Sequence, residues 1–311
     1  METHSFFHEQ WKWHEIDFIT EEDELRKLID GYHVPDKWIK QAGHERRNTL
    51  LMSRNVQQKE AVWGSLVYNL DPADRDTQQI FHFFLSRDTL ITGNMDFLER
   101  TAMDKELVLE NMKTTDTAIE GLMIIIDVVI DGFLKQIDAM EVDIRDLIWK
   151  LQQSNGEEVL DELMNIRHQL LVIKNLIIPV QEIHMSIKEA FEGQDQQKQF
   201  YKRAGQQLDR CHFLINEYKQ EVSTMVELED VTASVMGNEV MKTLTVITLL
   251  FTPISAWGAW WGMNFKHMPE LDEKFAYLFA GLFIFASVAV LYFFIQKKGW
   301  FGDLLSRKKK R

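Results

Sequence analysis

Two stretches without a charged side chain govern what this chain can become: residues 243–265, 23 in number, and residues 275–296, 22 in number. A helix rises about 1.5 Å per residue, so each reaches roughly 33–35 Å, enough to cross a hydrocarbon core of ~30 Å. A buried helix of a water-soluble protein is usually shorter and carries at least one charge. Both stretches therefore read as membrane spans. The mean hydropathy of the whole chain, −0.24, conceals them behind a polar remainder.

Only residues 266–274 separate the spans, so they form a hairpin whose distal ends share one side of the membrane. After the second span come Lys297, Lys298, Arg307, Lys308, Lys309, Lys310 and Arg311 against one acid, Asp303. Basic flanks stay in the cytoplasm, which predicts a multi-pass membrane protein with two cytoplasmic termini. Beside a span, the Lys-Lys-Lys-Arg ending reads as a topology and lipid anchor rather than a nucleic-acid signal. Residues 1–14 mix charges and aromatics, unlike a signal peptide.

The 311 residues hold 48 acids and 35 bases, a net charge of −13. That balance argues against a nucleic-acid partner, which would demand a basic footprint. The tail is six charges positive, so residues 1–296 carry six more negative charges than the whole, −19. One cysteine, Cys211, excludes a disulfide framework or a multi-cysteine metal site. Phosphate-loop, nucleophile-elbow and H-E-x-x-H motifs are absent, so the chain reads as no enzyme and needs no organic cofactor. His4 and His8 stand four apart, which suits a metal on a helix face, but they read better as surface residues.

Ahead of the spans, residues 11–19, 48–53, 61–70 and 80–92 hold apolar and aromatic clusters that suit strands. Ser86-Arg87-Asp88-Thr89 reads as the turn of a hairpin within the last of these. Thr20 and Asp23 form a capping-box pattern before a helical run through residue 42. From about Met103, apolar residues recur at steps of three and four from Leu122 to Leu151 and from Leu163 to Val180. Ser154-Asn155-Gly156 breaks the first long helix, Pro179 predicts a kink in the second, and Gly193 opens the next turn. A third helix starts near Lys198 and meets no stop signal before the first span.

The expected architecture is therefore an α-helical membrane protein with an α/β cytoplasmic domain (1–102). A long-helix bundle and stalk (103–242) follows, then a two-helix transmembrane domain (243–311). The stalk is either a mechanical coupler or a plain spacer. Two spans cannot enclose a water-filled path, so transport would require several copies around one axis. Helical spacing sets Asn238, Met241, Leu244, Thr248, Thr252 and Ser255 near one face of the third helix. Their hydroxyls suit either a pore lining or helix packing.

At the outer end of the first span stands Gly262-Met263-Asn264, after Trp260-Trp261 and before Phe265 and Met268-Pro269-Glu270-Leu271. With Asn238-Glu239-Val240-Met241-Lys242-Thr243-Leu244 upstream and the basic tail, this ordered set resembles the CorA family of divalent-cation transport proteins. The likeness is strongest over residues 238–311. It implies a funnel-shaped homopentamer passing Mg²⁺, often also Co²⁺ or Ni²⁺, passively down the membrane potential. It implies a ring of Asn264 at the outer mouth, beside Gly262 and Met263, and a hydrophobic gate at Met241 and Leu244. A neutral amide ring suits a hydrated Mg²⁺, which sheds water reluctantly.

Two positions depart from the family pattern. Some members carry a bulky apolar residue where Thr252 stands, and Tyr or Phe is more usual than Trp261. Glu270, Asp272 and Glu273 would gather cations at the entrance, or belong to an ordinary solvated loop. The resemblance also implies a regulatory Mg²⁺ between subunits, for which Asp88 and Asp209 are the candidate acids. The family's acidic position itself falls near Arg203. The alternatives are a related Zn²⁺, Co²⁺ or Ni²⁺ transporter, with or without proton coupling, and a membrane-anchored sensor that transports nothing.

Overall fold

A computed structural model describes residues 1–53, 59–71, 74–95, 105–153, 157–191, 198–263, 268 and 274–300. The chain divides into two compact units, Met1–Val226 and Glu227–Arg311.

The first unit is built on a six-stranded sheet: β1 (Glu2–Phe6), β2 (Trp11–Glu15), β3 (Thr49–Ser53), β4 (Ala61–Asp71), β5 (Asp74–Leu85) and β6 (Thr89–Gly93). Their order is β1-β2-β6-β5-β4-β3, with β2 and β6 parallel and the other neighbours antiparallel. Side chains alternate across a strand, and here both faces are apolar. Val62, Phe83, Leu85 and Leu90 enter one core, while Ala61, Trp63, Phe84 and Ile91 enter another. Helices cover both sides. Helices α1 (Glu22–Leu28) and α2 (Asp36–Gln41) supply Leu25, Trp38 and Ile39 to the second core. The first core takes α3 (Lys105–Met112), α4 (Ala118–Gln153), α5 (Glu157–Ala190) and the start of α6 (Gln199–Trp261).

Several local expectations fail here. The strand expected over 11–19 stops at Glu15, because Asp17 Oδ1 accepts the backbone N–H groups of Ile19 and Thr20 and turns the chain. The capping box is absent. Helix α1 begins at Glu22 behind Glu21, with no side-chain cap, and the Glu21 carboxylate instead takes the Asp17 N–H and the terminal ammonium. The run expected to stay helical to residue 42 breaks where Gly31 adopts φ +87° and Pro35 follows. His4 lies on strand β1, and His8 sits in the β1–β2 turn at φ +56°, so the helical His pair does not exist.

The long helices follow the apolar periodicity. From Leu122 to Leu147 the stripe of α4 is buried, and α5 buries Leu163, Leu170, Ile177 and Val180. Helix α5 continues through Pro179, and α4 and α5 end and begin on either side of 154–156. Among the described residues three helices, α5, α6 and α7 (Ala276–Lys297), are long and apolar enough to cross a membrane. In α5 that apolarity serves the core, with 44% of its most apolar window buried, against 11% in α6 and 6% in α7.

In the second unit α6 runs to Trp261 and α7 follows. Trp257 meets Phe283 edge to face at 4.7 Å, and Val246, Pro253 and Ile295 are buried. Most other apolar side chains of this unit are exposed, among them Phe251, Leu278, Phe285 and Phe293. Such a surface suits lipid or further protein, not water.

Candidate functional site

Asn238, Met241, Leu244, Thr248, Thr252 and Ser255 all lie on α6 and are all exposed. At 100° per residue their spacing keeps them within a sector of roughly 120°. A groove of about 590 Å³ follows part of this face, lined by Ile247, Thr248, Phe251, Thr252, Ser255 and Ala256.

The hydroxyls on this face have a set polarity. Thr248 Oγ1 donates to Leu244 O at 2.8 Å, and Thr252 Oγ1 donates to Thr248 O at 2.7 Å. A hydroxyl owns one proton, so each threonine presents only acceptor lone pairs outward. The water shell of a cation directs its hydrogens outward, and acceptors are the groups it can use. Pro253 lacks an N–H, which leaves the Leu249 carbonyl without its helical donor.

Helix α6 ends at the tripeptide. The Gly262 N–H donates to Gly258 O at 2.9 Å, and a Cβ on Gly262 would lie 2.9 Å from that same oxygen. Glycine is therefore the residue that lets the helix close there without strain. Met263 follows, half exposed. Trp261, just before the tripeptide, stacks on Trp257 at 5.6 Å. Asn264, Glu270, Asp272 and Glu273 lie outside the described residues.

The two candidate regulatory acids are both exposed in the first unit. Asp88 sits in the β5–β6 turn, where Ser86 Oγ donates to its carboxylate at 2.7 Å and Thr89 Oγ1 at 3.3 Å. Asp209 lies on α6. Among the described residues no hydrogen bond or ion pair brings the two together. Arg203, at the expected acidic position, instead pairs with Asp127 Oδ2 of α4 at 3.2 Å.

Asp127 is the carboxylate on α4 that Arg203 meets. It is buried, its Oδ1 has no hydrogen-bond partner, and burial pushes its carboxyl up to about 6 against the pull of Arg203. In the sequence Asp127 alone interrupts the apolar run from Met123 to Ile130. Two reciprocal bonds also fasten α5 to α6. Tyr201 OH donates to His184 O at 2.9 Å, and the His184 ring, stacked on Tyr201 at 4.0 Å, meets Tyr201 O at 3.1 Å.

The profile of a family described as CorA-like Mg²⁺ transporter protein matches residues 8–298. The magnesium transport protein CorA of Bacillus subtilis is 36% identical over 303 residues, 97% of this chain and 95% of that protein. The cobalt/magnesium transport protein CorA of Thermotoga maritima is 24% identical over 180 residues, 57% of this chain and 51% of its own length. The solved CorA magnesium transporter of Methanocaldococcus jannaschii shares the fold, with a TM-score of 0.67 over 96% of this chain and 94% of that one, at 14% identity. A full-length sequence relative, a matching family profile and a common fold agree that the chain belongs to the CorA family of Mg²⁺ transporter proteins.

Proposed function

We propose that this chain forms a homopentameric Mg²⁺ channel in a bacterial-type plasma membrane, both termini cytoplasmic, with Co²⁺ and Ni²⁺ as further permeant ions. The observation that carries the reading is the exposed face of α6, where the Thr248 and Thr252 hydroxyls offer only acceptors and which ends at Gly262-Met263. In this reading residues 243–311 are the pore domain, 103–242 the helical bundle and stalk, and 1–102 the cytoplasmic α/β domain. Gly262, Met263 and Asn264 form the outer filter. Met241 and Leu244 gate by dewetting, and Thr248, Thr252 and Ser255 conduct the hydrated ion.

An interior at −100 mV contributes about 4.6 kcal/mol to the inward movement of a divalent ion, so flux is passive. Glu270, Asp272 and Glu273 raise the local cation concentration outside. Inside, Mg²⁺ relieves repulsion among the acids of neighbouring subunits, with Asp88 and Asp209 as the assigned partners, and holds the pore closed. Uptake then limits itself.

The test is Mg²⁺ uptake by liposomes holding the purified chain under an inside-negative potential, with Zn²⁺ in parallel. Saturable Mg²⁺ influx, reduced at least tenfold by Asn264→Ala, is the expected result. Zn²⁺ influx alone, accelerated by a proton gradient, would assign the chain to zinc transport. No flux from a verified pentamer would leave a sensor.

A further inference from the structure

At the free edge of the sheet, three side chains outside the transport path converge. Glu2 and His4 lie two apart on β1 and so share a face, and Glu15 of β2 pairs with Glu2 in the ladder. His4 Nε2 is 3.4 Å from Glu2 Oε1 and 3.3 Å from Glu15 Oε1, and the three ligand atoms all lie within 4.8 Å of one another. A tetrahedral ion with bonds of about 2.0–2.1 Å sets its donors about 3.3–3.4 Å apart. The two separations match the edges of such a tetrahedron.

The cluster is more than a patch of acid. His4 and Glu15 side chains are each only 21% exposed, and the imidazole is held between Trp13, at 5.3 Å, and Phe6, at 6.4 Å. A second observation shows that the carboxylates already take a cation. Lys105 of α3 reaches across to Glu15 Oε1 at 2.8 Å and Glu2 Oε2 at 3.2 Å, and lies 6.0 Å over the Trp13 ring. Its ammonium holds the Glu2 carboxyl below the usual range.

We infer that Glu2, His4 and Glu15 form a binding site for a late first-row divalent ion, of the Zn²⁺, Co²⁺ or Ni²⁺ class, in competition with the Lys105 ammonium. One imidazole nitrogen with two carboxylates suits these ions. Mg²⁺ requires octahedral oxygen coordination and is disfavoured here. When the metal binds, Lys105 leaves the carboxylates, and the contact between the sheet edge and α3 is released. The site thus distinguishes late first-row divalent ions from Mg²⁺. It does not rest on the proposed pore.

The experiment uses the full chain in detergent and counts Co²⁺ and Mg²⁺ bound per chain by equilibrium dialysis. The visible absorption of bound Co²⁺ reports nitrogen ligation. Wild type is expected to bind one Co²⁺ more than His4→Ala or Glu15→Gln, with no such difference for Mg²⁺. Lys105→Met, which removes the competitor and spares the ligands, is expected to bind that Co²⁺ at least tenfold more tightly. Asn264→Ala should retain it, which separates this site from the ion path. Equal Co²⁺ binding by wild type and a folded His4→Ala would overturn the site. So would a Lys105→Met chain that binds Co²⁺ no more tightly than wild type.

Discussion

Asp127 and His82 place opposite demands on the same range of pH. Burial raises the Asp127 carboxyl from 3.8 to about 6, so its ionised form costs the fold stability above about pH 6, and acidification through that window restores it. His82 is buried against Ser65, Oγ to Nδ1 at 2.7 Å, and burial lowers its imidazole from 6.5 to about 4. The unfolded chain therefore takes up the His82 proton first, and acidification from 6.5 to 4 removes stability. At ~1.4 kcal/mol per unit each effect approaches about 3 kcal/mol, and the two nearly offset. Between pH 6 and pH 4, Asp127→Asn is expected to lose more thermal stability than wild type, and His82→Gln less. Melting curves that stay parallel for all three chains would refute the assignment. Asp127 stood out as the one charge in an apolar run, but the His82 environment could not be read in advance, because a residue's burial depends on which distant elements cover it.

Among the elements, the β3–β4 pair is the most sensitive to one atom. Gly64 faces Leu50 in the ladder, and an added Cβ would lie 2.0 Å from the Thr49 carbonyl oxygen. Gly64→Ala is expected to destabilise the first unit by about 3 kcal/mol, as overpacking against backbone does. Gly132 of α4 has open space around its Cβ position, so Gly132→Ala should gain about 0.5–1 kcal/mol from helix propensity alone. Chemical denaturation checks both signs. The elements that the sequence made legible are those with long periods. Leu122 to Leu147 announced α4, and the hairpin about Ser86–Thr89 was plain from its turn residues. Strand β1 was hidden because Glu2, His4 and Phe6 alternate with polar residues too weakly to stand out from a charged N-terminus. The break at Gly31 was hidden because flanking helical propensity masked a single positive φ.

For the whole molecule, a pair of long apolar helices, one with a hydroxyl face, has one use if copies gather around that face, and little otherwise. The long apolar helices and the family were legible because uncharged length and an ordered tripeptide survive without tertiary context. The cation cluster at the sheet edge was not, since Lys105 is far in sequence from Glu2 and Glu15. That use requires the α6 face to line the ion path. Its most direct test puts single cysteines at Thr248, Thr252 and Ser255, and at Leu250 and Ile254 on the other side of the helix, in a Cys211→Ser background. Liposome Mg²⁺ uptake is then followed before and after a positively charged thiol reagent. Block at the three hydroxyl positions, with Leu250 and Ile254 unaffected, is the predicted result. Block at Leu250 or Ile254 with free flux at Thr248, Thr252 and Ser255 would contradict it.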